Sequence, residues 1–291
     1  HGRAAIEHHA VLHTLQKLEK EGFTVTLLDV HETGRVTPQQ VAEAITDDTC
    51  LVTIMYANNE IGTIQPIADI GRLCRERNVL FHTDAVQAAG HVKIDVNAMH
   101  IDLLSLSAHK FHGPKGVGML YARRGIILTN LIEGGAQERG KRGGTENVPG
   151  IIGLGEAVRT YPQGAAEKMM ALKTRLLTDL QEAIPTAKRN GPALDDPLCA
   201  PHILSVSMSP VRSQTMLFAL EGDGIYVSAG SACAAHKQKV SGVLTAMGLS
   251  PAEADCTLRF SLCPDNTEAE MDDVAQCVKK HYDLLKAYVR R

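Results

Sequence analysis

Apolar positions recur at helical spacing from Glu7 to Glu21, where Val11, Leu12, Leu15 and Leu18 share one face. The next segment, FTVTLLDV (Phe23 to Val30), predicts a strand. TPQQVAEAI (Thr37 to Ile45) predicts a helix with Thr37 as its N-cap and Pro38 at its first position. Three apolar runs follow, and each ends in polar residues. CLVTIMYANNE stops at Asn58, Asn59 and Glu60; VLFHTDAVQ stops at Asp84; IDLLSLSAHK stops at Lys110. A helical pattern, IADIGRLCRER, separates the first two, with a looser connection before the third. Near-continuous apolar runs alternating with helices predict an α/β domain on a largely parallel sheet. Ligands of such sheets sit beyond the carboxyl ends of the strands, which makes Asn59, Asp84 and Lys110 candidates for one site.

The texture changes after about residue 168. AAEKMMALKTRLLTDLQEAI predicts a long helix, HILSVSM a short strand, and EAEMDDVAQCVKKHYDLLKAYVRR a long amphipathic helix, with NGPALDDPLCAP as a loop. The expectation is a large domain over residues 1–168 and a smaller α+β domain over residues 169–291. No internal repeat or low-complexity tract is visible.

Composition narrows the class. The chain has 291 residues, 44% apolar and 22% charged, enough to bury a sizeable core. Its net charge of −3 predicts no general affinity for nucleic acid or anionic membrane. Seven cysteines without a C-x-x-C pair suggest neither a disulfide framework nor a zinc site. Reduced thiols point to a cytoplasmic setting, and no run approaches the length of a membrane span.

The chemistry gathers at the strand ends. A lysine in a dry site can form a Schiff base with a carbonyl cofactor. Pyridoxal phosphate (PLP) is the usual one, and its pyridine nitrogen is commonly paired with a carboxylate. Asp84 fits that carboxylate, Gln87 and Asn59 fit the ring hydroxyl, and Ser107 and His109 fit the phosphate. The residues alone leave the alternative open that Asp84 caps a helix and Lys110 is solvated.

Seven segments, EHHAVL, MYANNEIG, HTDAVQAAG, LSAHKFHGPKG, ERGKRGGTEN, SAGSAC and LRFSL, occur in the order and near-spacing of one family. In them the chain resembles, across essentially its whole length, the NifS/IscS-type cysteine desulfurases, fold-type I PLP enzymes of aminotransferase class V. The resemblance implies a mostly parallel-sheet large domain with a smaller α+β C-terminal domain. It implies that Lys110 carries the cofactor, that Asp84 pairs with the pyridine nitrogen, and that His8 stacks on the ring and helps move protons. Asn59 and Gln87 correspond to ligands of the ring hydroxyl, and Ser107 and His109 to phosphate-cup residues. Thr145 corresponds to a residue reaching the phosphate of a neighbouring subunit, so a homodimer is expected. Arg259 corresponds to the residue that holds the carboxylate of the L-cysteine substrate, a task suited to its two-pronged donor geometry.

Cys233, in the small-residue segment VSAGSAC, is expected to take the substrate sulfur as a persulfide while L-alanine is released. A sulfur acceptor, such as an iron–sulfur scaffold protein, is the expected partner. No metal site is expected. The sequence departs from the family in three places: no counterpart of the usual N-terminal region precedes His1, SLCPD places Cys263 near the substrate end, and the chain stops soon after its last helix. An incomplete large domain is therefore expected, and a specific scaffold partner stays open. Selenocysteine lyase or another C–S lyase on the same scaffold, and a weakly active fragment with an assembly role, are the alternative readings.

Overall fold

The computed structural model describes residues 6–229 and 241–288. They divide into two compact units. One comprises residues 47–56 and 67–163, and the other gathers residues 1–46, 57–66 and 164–291. This differs from a single boundary at residue 168, because the N-terminal segment and the turn around Asn59 make their contacts with the C-terminal part of the chain.

The chain enters through α1 (His9–Lys20), capped by His8, whose Nδ1 accepts the Ala10 N–H at 3.2 Å. No residue of α1 is buried. Residues 23–30 are not a strand: they run as irregular chain with Phe23 exposed and Val30 buried. The alternating pattern was there, but no neighbouring strand pairs with it among the described residues, and a lone strand leaves its backbone groups without ladder partners. The helix α2 (Pro38–Ala44) starts as the sequence predicts, with Thr37 and Gln40 forming a reciprocal capping box.

The first unit holds a four-stranded sheet. The strand β1 (Leu51–Thr53) leads through α3 (Ile67–Glu76) to β2 (Leu80–Asp84), and β3 (Leu103–Ser107) adds a further parallel strand. The strand β4 (Gly118–Ala122) returns antiparallel beside β3. Asp102 ties this sheet together. Its carboxylate accepts the Phe81 N–H at 2.8 Å and Arg123 Nε at 2.6 Å. A short helical turn, α4 (Gln137–Gly140), precedes α5 (Val148–Thr160), which begins at the Asn147 cap.

The second unit continues with α6 (Ala165–Ala183), then β5 (Ala187–Asn190), β6 (Ile203–Met208), α7 (Ser213–Gly222), β7 (Ser228–Ala229), α8 (Gly242–Ala246), α9 (Pro251–Asp255), β8 (Thr257–Ser261) and α10 (Glu268–Leu285). Its sheet is antiparallel in the order β5-β6-β8-β7. All six residues of β6 are buried. One face of β6 is apolar and the other carries a polar ladder. Asn190 Nδ2 donates to Ser207 Oγ at 2.9 Å, and Ser207 Oγ lies 2.7 Å from Thr257 Oγ1. Lys173 of α6 is also buried, donating to the Ala200 carbonyl at 2.9 Å and to Cys199 Sγ at 3.0 Å. Among the described residues no helix is long and apolar enough to cross a membrane.

Candidate active site

Five of the expected residues, Asp84, Gln87, Ser107, His109 and Lys110, lie at or just beyond the carboxyl ends of the parallel strands in the first unit. Asp84, the last residue of β2, is 8% exposed, and its Oδ1 accepts the Val86 N–H at 2.9 Å. In register it lies opposite Ser105, so Ser107 sits two residues further along the neighbouring strand on the same face. Ser107 Oγ lies 2.8 Å from His109 Nδ1. Gln87 follows Asp84 on a turn closed by the Ala88 and Ala89 amides donating to the Ala85 carbonyl, each at 2.9 Å, and is half-buried.

Lys110 occupies a four-residue 3-10 turn, Ala108–Phe111, that directly continues β3. In a 3-10 turn residues three apart fall on one face. Ala108 and Phe111 are therefore buried together, packed with Ala89 and Ala157 and flanked by Leu106, Val117, Leu154 and Tyr161, while His109 and Lys110 face outward. Gly90 passes so close that a Cβ there would lie 2.8 Å from Phe111 Cβ, and its φ of +81° favours glycine as well. The turn ends at His112 in the left-handed region.

The backbone of Lys110 is fixed by a residue that sequence reasoning missed. His91 Nε2 lies 3.2 Å from the Lys110 carbonyl, and His91 Nδ1 lies 2.8 Å from Tyr161 Oη. A carbonyl only accepts, so Nε2 carries the proton and Nδ1 accepts from the phenol in the neutral ring. Burial pushes the His91 pKa down to about 4, which keeps the ring neutral. A second missed histidine, His82, lies two residues before Asp84 on the same face and bridges the strands. Its Nδ1 is 2.7 Å from Thr53 Oγ1 and its Nε2 is 2.9 Å from Ser105 Oγ. Burial lowers its pKa below the usual value, and the Asp84 charge partly opposes that. The only sequence signal for His82 was the alternation H-T-D at the strand end. His91 and Tyr161 are 70 residues apart and gave none. Thr145 is exposed, between α4 and α5.

The second unit brings together Arg259 and Asn59. Arg259 extends from β8, its Nη1 donating to the Asn59 carbonyl at 2.9 Å and its Nη2 to Ser228 Oγ of β7 at 2.9 Å. The turn that presents Asn59 is shaped by Asn58, whose Oδ1 accepts the Glu60 and Ile61 amides at 2.8 and 3.1 Å and whose Nδ2 donates to the Ile6 carbonyl at 2.8 Å. Glu60 had no assigned role in the sequence. Burial raises its pKa, while the Ser241 hydroxyl that it accepts and the nearby Arg259 charge pull it down. His8 is exposed as the cap of α1. Cys233 lies outside the described residues, in the stretch between β7 and Ser241, which caps α8. Cys263 is half-buried, its amide donating to Asn266 Oδ1 at 2.8 Å.

The donor set of the first unit suits an aromatic aldehyde phosphate. It offers a buried carboxylate, a hydroxyl–imidazole pair and an amine on a rigid turn, all at one sheet edge. A cationic guanidinium with two fixed neighbours, in the second unit, suits a carboxylate ligand.

The chain is 51% identical over 278 residues to the cysteine desulfurase IscS of Clostridium botulinum (strain Hall), covering 94% of this chain and 70% of that protein. Among solved structures, a NifS-like protein superposes with a TM-score of 0.88 at 39% identity, covering 97% of this chain and 74% of the other. SspA, solved in complex with cysteine, superposes with a TM-score of 0.75 at 40% identity, covering 91% and 73%. The aminotransferase class-V family model matches residues 4–274, and the chain belongs to that family.

Proposed function

We propose that the protein is a PLP-dependent cysteine desulfurase that converts L-cysteine to L-alanine and leaves the sulfur as a persulfide on Cys233. The observation that carries this reading is the edge of the parallel sheet, where buried Asp84 and the Lys110 turn end neighbouring strands. The Clostridium botulinum relative bears this activity in its name, and SspA was solved in complex with cysteine.

Lys110 is the residue to hold PLP covalently through its amine, with Asp84 at the pyridine nitrogen, Gln87 and Asn59 at the ring hydroxyl, and Ser107 and His109 at the phosphate. When bound, the cofactor supplies an electron sink for the carbon bearing the substrate amine. Arg259 orients L-cysteine by its carboxylate. Lys110 and His8 would hold and move the protons at the substrate carbons. Cys233 attacks the substrate sulfur as a thiolate. The Cβ–S bond breaks, a Cys233 S–S bond forms, and a proton completes the alanine methyl. The sum is L-cysteine and enzyme thiol giving L-alanine and enzyme persulfide.

A homodimer with Thr145 reaching the neighbouring phosphate is supported by large apolar side chains left exposed in the first unit, among them Leu120, Ile127, Leu131 and Ile152. A sulfur acceptor protein, such as an iron–sulfur scaffold, is the partner in a cytoplasmic setting. The test is mass spectrometry after brief exposure of the PLP-loaded protein to L-cysteine, with alanine measured in parallel. One added sulfur mapped to Cys233 with equimolar alanine is expected. Sulfide release without a protein adduct would replace this reading with a direct C–S lyase.

A further inference from the structure

A cluster of three different ligand types lies where α7 ends against α10, and the desulfurase chemistry does not use it. Asp223 follows the last turn of α7, while Cys277 and His281 are four residues apart and therefore on one face of α10. Asp223 Oδ2 accepts from Cys277 Sγ at 3.0 Å and from His281 Nε2 at 2.8 Å. One atom from each residue lies within 4.8 Å of the other two. Lys280 Nζ also reaches Asp223 Oδ2, at 2.9 Å.

We propose that Asp223, Cys277 and His281 form a binding site for one Zn²⁺ ion, with the fourth position open to water.

A tetrahedral zinc ion holds sulfur at about 2.3 Å and nitrogen or oxygen at about 2.0–2.2 Å, which places neighbouring ligand atoms roughly 3.3–3.6 Å apart. The two edges of 3.0 and 2.8 Å are shorter than that by about half an ångström, as expected where protons rather than a metal bridge the atoms. A small outward rotation of the three side chains makes room. The mixed thiolate, imidazole and carboxylate set suits zinc and disfavours the hard ions calcium and magnesium, which take oxygen ligands. On binding, the Cys277 thiol proton leaves to solvent, and His281 presents the Nε2 lone pair after its proton moves off that atom. Lys280 is exposed and leaves the carboxylate for water, so it competes with the metal and does not ligate it. Half-burial of Cys277 and His281 shields the site on the helix side, and Asp223 is its open edge.

The site links the end of α7 to the middle of α10, which makes it a clasp within the second unit. The test uses the PLP-loaded full chain, stripped with a chelator and titrated with Co²⁺, whose tetrahedral thiolate complexes show intense visible d–d bands. The wild type is expected to bind one Co²⁺ with such bands, to exchange it for Zn²⁺, and to melt at a higher temperature in the presence of Zn²⁺. Outer-sphere changes at metal sites cost 10- to 100-fold in affinity, so loss of a ligand in Cys277→Ser, His281→Ala or Asp223→Asn should cost at least about 100-fold. Lys280→Ala should bind more tightly. The metal-free melting temperature of each variant, compared with that of the metal-free wild type, separates lost binding from lost folding. Bands and affinity unchanged in well-folded Cys277→Ser and His281→Ala, or no Co²⁺ and no Zn²⁺ bound by the wild type, would overturn the site.

Discussion

Tyr161 Oη lies 2.8 Å from His91 Nδ1, with the two rings edge to face, and the far side of the same imidazole meets the carbonyl of Lys110. A phenol is thus connected, through one neutral histidine, to the turn that carries the candidate cofactor lysine. His91 has an ordinary pKa of 6.5 when unfolded and about 4 when folded. Between those values the unfolded chain binds more protons, so folding stability falls as pH drops from about 6.5 to 4. At about 1.4 kcal/mol per unit the loss is on the order of 3 kcal/mol. His91→Gln should lack this component. Urea midpoints of the two proteins at pH 7 and near pH 4 check it, and parallel pH dependence would remove the imidazole as the cause.

Tyr161→Phe should leave His91 Nδ1 buried without its donor, a cost of about 1–3 kcal/mol in stability. Its effect on turnover should appear in kcat rather than KM, because the phenol acts through the Lys110 backbone and not on the substrate. Steady-state kinetics with L-cysteine reads the split.

Lys110→Ala should abolish borohydride fixation of PLP to the protein, whereas Asp84→Asn should retain bound cofactor and lose most turnover. Peptide mapping after reduction identifies the attachment point. Cofactor fixed to another lysine, or full activity in Asp84→Asn, would contradict the assignment of that residue.

Arg259→Gln removes a charged donor pair. Charge-assisted hydrogen bonds contribute about 1.5–3 kcal/mol each, so kcat/KM for L-cysteine should fall about 10- to 100-fold or more, chiefly through KM. Wild-type KM in the variant would mean that the guanidinium only braces Asn59 and Ser228.

Lys173 supplies a test of the core. Burial depresses its pKa below 10.5, opposed by Cys199, so the folded state sheds its proton before the unfolded state does. Stability contributed through this group is present above pH 10.5 and lost as pH falls through the depressed folded pKa. Lys173→Met, similar in volume, should therefore flatten the rise of stability on the alkaline side. Chemical denaturation from pH 8 to 11 reads it.

What could be read from the sequence was local. The Thr37 cap, the end of β2 at Asp84, and the helices over 165–183 and 268–285 all follow from short-range periodicity and cap chemistry, whereas β3 stops at Ser107 and Lys110 falls in the 3-10 turn beyond it. The segment from Phe23 to Val30 carried a strand pattern, but a strand is defined by its neighbour, and none pairs with it among the described residues. The grouping of residues 1–46 with the C-terminal part, and the roles of His91, Tyr161 and Glu60, depend on contacts far apart in sequence. The Arg259 contact to Asn59 spans 200 residues, and only the family motif hinted that Arg259 mattered.

The polar ladder of β6 bears on how far Arg259 reaches. Both faces of β6 are buried, so simple inside–outside alternation is a weak guide to which β8 residue pairs with which. Ser207 facing Thr257, with Asn190 completing the row, fixes that choice and sets Arg259 opposite Ser205. A slip of two residues would keep every side chain on its proper face yet carry the guanidinium about 7 Å along the strand. Three small hydroxyl and amide groups in the core thereby set how far along the strand the Arg259 guanidinium stands, and replacing Ser207 with alanine would be felt first as loss of aim and only second as loss of stability.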